Sequence, residues 1–408
     1  MISEKPEPPR LKASVRAGDA RLDSLDILRG LALAGMILVH FHQKMRIEAS
    51  GLEDLIGWGV YILVEQKAWG IFAFLFGVGF AVLLRRLDAR GVSAAPIYLR
   101  RLAMLAAFGV IARVGFGFAI LFTYAMWGVV LLLVRNWPTR ALLALAIVAA
   151  MAGPVTAEVS GLGAWLRGVP QPPDQTWPLV QAEHQAAAQA SYSSLLAARW
   201  RLFVASTPGG WSGLLPDSNL ALFILGLLSV RHGVIDDPRR QARTIQHWMA
   251  FGALSWLVSW TVLRPAEAIA IPDVGWPLAM GLGLIRDQWL CFAYIGAVLL
   301  LLAKRPEWNR RLSPIGQAGR MALTNYMLQI VVLDALASGY GLGVKVRPLL
   351  YLPATLMLFG TEVVLSTLWL SRFRYGPLEW IWRGATYLRL EPIRRRNWHW
   401  PRVDTPHV

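Results

Sequence analysis

The 408-residue chain has a single cysteine, Cys291, which removes an intramolecular disulfide from consideration. Cys291 lies inside an apolar run, so it reads as a small packed core residue and says nothing of the compartment. Histidine is scarce as well. Of seven, His40 and His42 are close neighbours and the other five are scattered over tail and loops, so no metal cluster emerges. His40 and His42 are spaced i, i+2, about 200° apart on a helix, which prevents them from sharing a metal ion. No basic module stands apart from the apolar sequence, and the formal charge of +16 therefore does not indicate nucleic acid. No internal repeat is found.

What the chain has is apolar length. Apolar residues make up 55% of it and the mean hydropathy is +0.44, values that exclude a soluble domain and a disordered chain. Runs long enough to cross a bilayer predict an all-α, polytopic transmembrane bundle of about ten spans: 25–42, 68–86, 98–113, 115–135, 140–158, 214–231, 245–263, 285–303, 319–338 and 348–371. The third and fourth are divided only by Arg113 and the Gly115 to Gly117 turn. The first run follows a basic tail and lacks an A-x-A-like exit, so it is expected to be a retained signal anchor.

With the N-terminal tail in the cytoplasm and the spans alternating, 29 of the 41 Lys and Arg residues fall on the inside and 11 outside, Arg29 being within the first span. This positive-inside excess predicts cytoplasmic termini and the inner (plasma) membrane. Attraction to anionic lipid explains the basic loops. The expected organisation is a cytoplasmic basic tail (1–24), an N-terminal membrane half of about five spans (25–158), an external loop with an amphipathic helix (159–213), a C-terminal membrane half of about five spans (214–371) and a cytoplasmic aromatic and basic tail (372–408).

The external loop joins a Pro-rich stretch, GVPQPPDQTWP, to EHQAAAQASYSSLLAARWRLF, a segment too polar to span, expected at the outer interface or capping the bundle. LEDLIGWGVYILVEQK at 52–67 is a second amphipathic stretch. In the C-terminal tail, interleaved Trp, Tyr and Arg fit either a membrane-surface anchor or a docking face for an anionic cofactor.

Candidate chemistry begins on the first span. Arg29 and His40 are eleven positions apart, which returns to nearly the same helix face about 16 Å further along. An imidazole can accept a proton near neutral pH, so His40 is the candidate general base, with an interfacial helix end as the bland alternative. Asp26 and Arg29, i and i+3, can form an ion pair, or Arg29 can anchor a phosphate or carboxylate. The Gly77 and Gly79 pair in FAFLFGVGFAVLLRR follows no strand, so helix packing, not dinucleotide binding, is expected. Asn325 and Gln329 share a face of span nine, and Glu362 lies deep in span ten. These three either act as interhelical glue or line a polar cavity for an acceptor hydroxyl.

RLDSLDILRGLALAGMILVH, LFGVGFAVLLRR, YLRRL, GRMALTNYMLQ and RFRYGPLEWIWRGATY together resemble the YeiB-like bacterial multi-pass membrane proteins with a C-terminal domain of unknown function. The Arg29 to His40 spacing is also similar to that of acyltransferase family three, and the Leu-Asp, Arg-Gly opening to heparan-alpha-glucosaminide N-acetyltransferase. The resemblance implies transfer of an acyl group from cytoplasmic acyl-CoA, as donor substrate, to an external hydroxylated, envelope sugar-like acceptor. By that resemblance His40 is base or acyl relay and Arg29 positions the donor. Two departures stand out: YeiB-like chains often carry Asn in place of His40, and Ala119 stands where many carry Asp in a His, Gly-Asp-Ile-Leu motif.

The expectation is thus an integral membrane acyltransferase, with catalytic His40, donor or substrate contacts at Arg29, Asp26, Asn325, Gln329 and Glu362, no metal, and membrane lipid and a small-molecule or glycan acceptor as partners. The alternatives are a transporter or flippase for an anionic envelope precursor, expected to show discontinuous helices and paired repeats, and a non-catalytic membrane subunit with a closed interior.

Overall fold

A computed structural model describes residues 9–47, 50–118, 120–166, 176–206, 217–263 and 288–395. Ala119, the Pro-rich stretch up to residue 175 and residues 214–216 and 285–287 of two predicted spans lie outside them. In chain order the helices are α1 (Pro9–Lys44), α2 (Leu52–Val60), α3 (Gln66–Asp88), α4 (Ala94–Val110), α5 (Ile120–Val134), α6 (Thr139–Leu166), α7 (Trp177–Ala187), α8 (Tyr192–Ser206), α9 (Ser218–Arg231), α10 (Ala242–Val258), α11 (Cys291–Lys304), α12 (Glu307–Arg311), α13 (Ser313–Arg320), α14 (Ala322–Ala337), α15 (Tyr351–Arg372) and α16 (Pro377–Tyr387). Among the described residues the only strand-like pairings are two isolated bridges, Arg46 with Val346 and Phe373 with Arg394. The chain is all-helical.

Each predicted apolar segment contains a helix, but the described lengths bear out fewer crossings than ten. Four helical segments are long and apolar enough to cross a membrane: Asp23–Lys44, Leu52–Asp88, Ala94–Gly115 and Pro348–Arg372. Four further apolar helices have 14–16 residues, Ile120–Val134, Ser218–Arg231, Cys291–Lys304 and Ala322–Ala337, while α6, 28 residues long, is apolar over Thr139–Ala152. A helix of 15 residues is only about 22 Å long, short of a hydrocarbon core of about 30 Å. The amphipathic stretch at 52–67 is not a separate surface element either. It runs without a break through a π-turn at Tyr61–Glu65 into α3. Arg113 and the glycines after it do divide spans three and four, through a π-turn at Ile111–Gly115 and a bend at Gly117, where φ is +78°.

Glycine sets the closest approaches. A Cβ on Gly77 would strike the Phe223 carbonyl of α9, and one on Gly226 would strike the Phe74 carbonyl, so α3 and α9 pack backbone to backbone. Around them Phe74, Phe76, Tyr124, Phe223 and Phe292 interlock as edge-to-face and stacked rings. Gly79 meets nothing within 4 Å. Half of the glycine pair therefore serves packing and half opens onto a cavity. A second tight contact joins α1 to α13: a Cβ on Gly319 would meet the Asp26 carbonyl, and one on Gly30 the Ile315 carbonyl. This contact fixes the start of the first span, where Asp26 and Arg29 lie.

Gly77→Ala is expected to destabilise the purified protein by about 1–3 kcal/mol, because the new methyl meets backbone that cannot swing away. Gly79→Ala should be neutral or slightly stabilising, given the better helix propensity of alanine. Thermal unfolding of the two variants side by side checks this contrast; equal losses would refute it.

Candidate functional site

Two clusters occupy opposite ends of α1. The Arg29 end opens into a cavity of about 300 Å³. Arg29, Arg101 and Arg320 stand among its lining with Glu379 and Trp382 of α16, while Met36, Tyr124 and Tyr326 line it further in. Such a volume lies at the small end of ligand pockets. Arg29 pairs with Asp26, as the i, i+3 spacing predicts, yet its side chain stays 30% exposed. The guanidinium of Arg101 stacks 3.8 Å from the centre of the Trp382 ring, whose Nε1 donates to the Arg101 carbonyl at 2.8 Å. Inside the cavity wall the hydroxyl of buried Tyr98 has no hydrogen-bond partner among the described residues.

Glu379 explains why α16 seats where it does. Helix α14 begins at Ala322 without a side-chain cap of its own. Glu379 takes that role from a distance, accepting from the backbone N–H of Leu323 at 2.7 Å, that of Thr324 at 3.0 Å and the Thr324 hydroxyl at 2.5 Å. A carboxylate at a helix N-terminus satisfies free donors and complements the helix dipole. Of the two readings of the C-terminal tail, its first helix thus forms part of a cavity mouth.

At the other end of this stripe is His40, 1% exposed, with its ring 4.3 Å from that of Phe118 and 6.5 Å from that of Tyr326. The imidazole faces protein, not lipid. It does not itself line the cavity; Tyr326, which does, stands between. The Nδ1 atom has no hydrogen-bond partner among the described residues. His42 points the other way, 4.0 Å from Glu65 and edge-on to Tyr351. Among the described residues no group of three or more His, Cys, Asp or Glu could hold a metal.

Asn325, Gln329 and Glu362 go elsewhere. Asn325 donates to the Ser366 hydroxyl at 2.9 Å and the Ala318 carbonyl at 3.0 Å, and Gln329 donates to Glu362 at 2.8 Å. These bonds join α14 to α15, and none of the three residues is among the cavity lining.

Beyond Phe118 lies an ionic network that the sequence did not reveal. Arg199 of α8, 1% exposed, donates to Asp334 at 2.5 and 2.9 Å, to Glu183 at 3.3 Å and to the Gly115 carbonyl at 2.6 Å. Glu183 of α7 also takes a two-pronged bond from Arg113 at 2.9 and 3.3 Å. Asp334 is completed by Ser338 and Tyr340 at 3.2 and 2.9 Å. The segment at 176–206, expected to be amphipathic, therefore docks on the bundle end through buried charge. The partners are 70 and 135 residues apart in sequence, which hid the pairing. Burial works to raise the pKa of Glu183, but Arg113, Lys44 and Arg199 outweigh it and hold the carboxyl below the usual glutamate range.

Both halves of the chain resemble known families. Residues 21–177 match the catalytic domain of heparan-alpha-glucosaminide N-acetyltransferase, and residues 229–389 match a family described as a protein of unknown function (DUF418). The chain is 29% identical to the uncharacterized protein YxaH of Bacillus subtilis (strain 168), over 92% of this chain and 97% of that one. It is 28% identical to an uncharacterized 39.9 kDa protein encoded in the amylase 3' region of Bacillus acidopullulyticus, over 92% and 96% of the two chains. It is 30% identical to the uncharacterized protein YeiB of Escherichia coli (strain K12), over 33% and 32%. The YeiB-like resemblance carried by the motifs stands. The cavity draws on both matched regions: Arg29, Tyr98 and Arg101 come from the first, Arg320, Tyr326 and Glu379 from the second.

Arg199→Gln is expected to cost about 3–5 kcal/mol, since it leaves buried Asp334 without its charged partner while Glu183 keeps only Arg113. Because the pKa of Glu183 is lower in the folded protein, its contribution is present above the unfolded value of 4.5 and lost as pH falls below it. Protection from hydrogen exchange across residues 177–206, relative to the intrinsic rate at each pH, should therefore fall as the pH drops through that range, and Glu183→Gln should abolish this component of the dependence. Unchanged protection in acid would count against the docking.

Proposed function

We propose that this protein is a membrane acyltransferase that takes an acyl group from a coenzyme A thioester and delivers it to a hydroxyl of a sugar-like envelope acceptor. One observation carries the reading: three guanidinium groups at a cavity mouth and a buried imidazole just past its inner end, with Arg29, Met36 and His40 on one stripe of α1. Planar guanidinium forks suit the phosphates of a nucleotide-bearing donor. The aromatic and aliphatic middle suits the thioester and acyl portion, and the unpartnered Tyr98 hydroxyl offers a hydrogen bond to an amide of the donor's arm. The match of residues 21–177 to an N-acetyltransferase catalytic domain supports the same class of reaction.

In the proposed step His40 accepts the proton of the acceptor hydroxyl while the oxygen attacks the thioester carbonyl. The carbon–sulfur bond then breaks, and the leaving thiolate takes the proton back from the imidazolium. The products are an ester and the free thiol. Tyr326 lies between cavity and imidazole, so its ring must turn or be displaced as the donor enters. Asp26 holds Arg29 at the mouth; Asn325, Gln329 and Glu362 support α14 from behind.

The fuller topology is part of this proposal. The shorter helices complete about ten crossings by local thinning of the bilayer and snorkelling of their flanking residues. Both termini and the Arg29 end face the cytoplasm, consistent with the distribution of the 41 basic residues, and the acceptor is met at the opposite face of the inner membrane. A cavity with an unpartnered buried hydroxyl in its wall weighs against a closed, purely structural subunit.

The test uses full-length protein in detergent with radiolabelled acetyl-CoA. Arg29→Gln and Arg101→Gln should each weaken binding about tenfold to a hundredfold, the worth of a charge-assisted hydrogen bond. His40→Ala should leave binding in place and cut label transfer about 10²- to 10⁴-fold. Turnover unaffected by His40→Ala would remove the imidazole from the mechanism, and no binding of any acyl-CoA would favour transport of an anionic precursor.

A further inference from the structure

Lys44, one helical turn past His40, is a cation near the Glu183 and Asp334 carboxylates that makes no hydrogen bond or ion pair with either. Three basic side chains, Lys44, Arg113 and Arg199, meet two acidic ones, Glu183 and Asp334, so the ionic network carries one unmatched positive charge. Both arginines are committed: Arg113 to Glu183, and Arg199 to Glu183 and Asp334. Among the described residues no hydrogen bond or ion pair holds the Lys44 ammonium; its Nζ lies 5.0 Å from the centre of the Phe118 ring, attracted by Glu183 and Asp334 and repelled by Arg113 and Arg199. The same ring lies 4.3 Å from the His40 ring. Phe118 thus stands between the imidazole and the unmatched ammonium.

The local backbone comes close to Lys44 and the network. Gly117, in the left-handed region at φ +78°, presents its Cα where any side chain would crowd the network: a Cβ would come within 2.9 Å of Lys44 Nζ and 3.2 Å of both Arg199 Nη2 and Glu183 Oε1. Only glycine suits the conformation and the space together. An unmatched, half-buried cation is costly unless an anion completes it.

We propose that Lys44 anchors an anionic oxygen group, carboxylate or phosphate, on the acceptor, so that the acceptor is an acidic sugar-like molecule and not a neutral one. This rests on the reading of His40 as the base. A group held at Lys44 leaves a hydroxyl on the same small molecule only a ring's width from the imidazole. Removing Lys44 leaves the network neutral with every acid still paired, so the variant should fold.

Full-length protein in detergent is titrated with glucuronate, glucose 6-phosphate and glucose, reading the shift in thermal unfolding, with acetyl-CoA binding measured in parallel. At least one of the two anionic sugars should bind about ten times or more tighter than glucose, and Lys44→Gln should erase that advantage while sparing acetyl-CoA binding. Which of the two wins distinguishes a carboxylate from a phosphate. Equal binding of all three sugars, or an anion preference that survives Lys44→Gln, would overturn the proposal. Lys44-dependent sugar binding without any acetyl-CoA binding would keep the anion site and sink the acyl-transfer reading; the reverse pattern would do the opposite.

Discussion

A guanidinium with almost no access to water is the constraint on which the candidate site depends. Arg199 could not lie at 1% exposure without neutralising partners, because an unpaired buried charge costs several kcal/mol or more. Asp334 and Glu183 supply them, and the demand reaches into three helices and one turn. Helix α8 is drawn down onto α14, α7 is held beside it, and the Gly115 carbonyl is captured at 2.6 Å. That last bond fixes the turn between α4 and α5, and the turn carries Phe118 to its place against His40. The environment of the imidazole is thus imposed by charges that never touch it.

The opposite end of α1 follows a different logic. There the contact is steric, with backbone meeting backbone at Gly30 and Gly319, and α13 brings Arg320 to the side of the mouth where Arg29 stands. Glu379 then fastens α16 by capping α14, and Trp382 covers Arg101. The two ends suit different partners. One is an open fork of guanidinium groups, two of them at least partly exposed; the other is a closed network with a single unmatched ammonium.

How much of this could be read from residues alone differs between levels. Helical segments were legible because each is a long apolar run, and all ten contain helices. The number of crossings was not, since hydropathy does not show where Asp217 caps α9 and starts that helix inside a longer apolar run. The Arg29 to His40 stripe was legible because it needs only the helical period. Arg101, Arg320 and Tyr326 were not, as they join the cavity through tertiary packing. Asn325 and Gln329 share a face as their spacing predicts, but that face turns to Ser366 and Glu362 rather than to the cavity. Periodicity says which residues share a face; it does not say what the face meets.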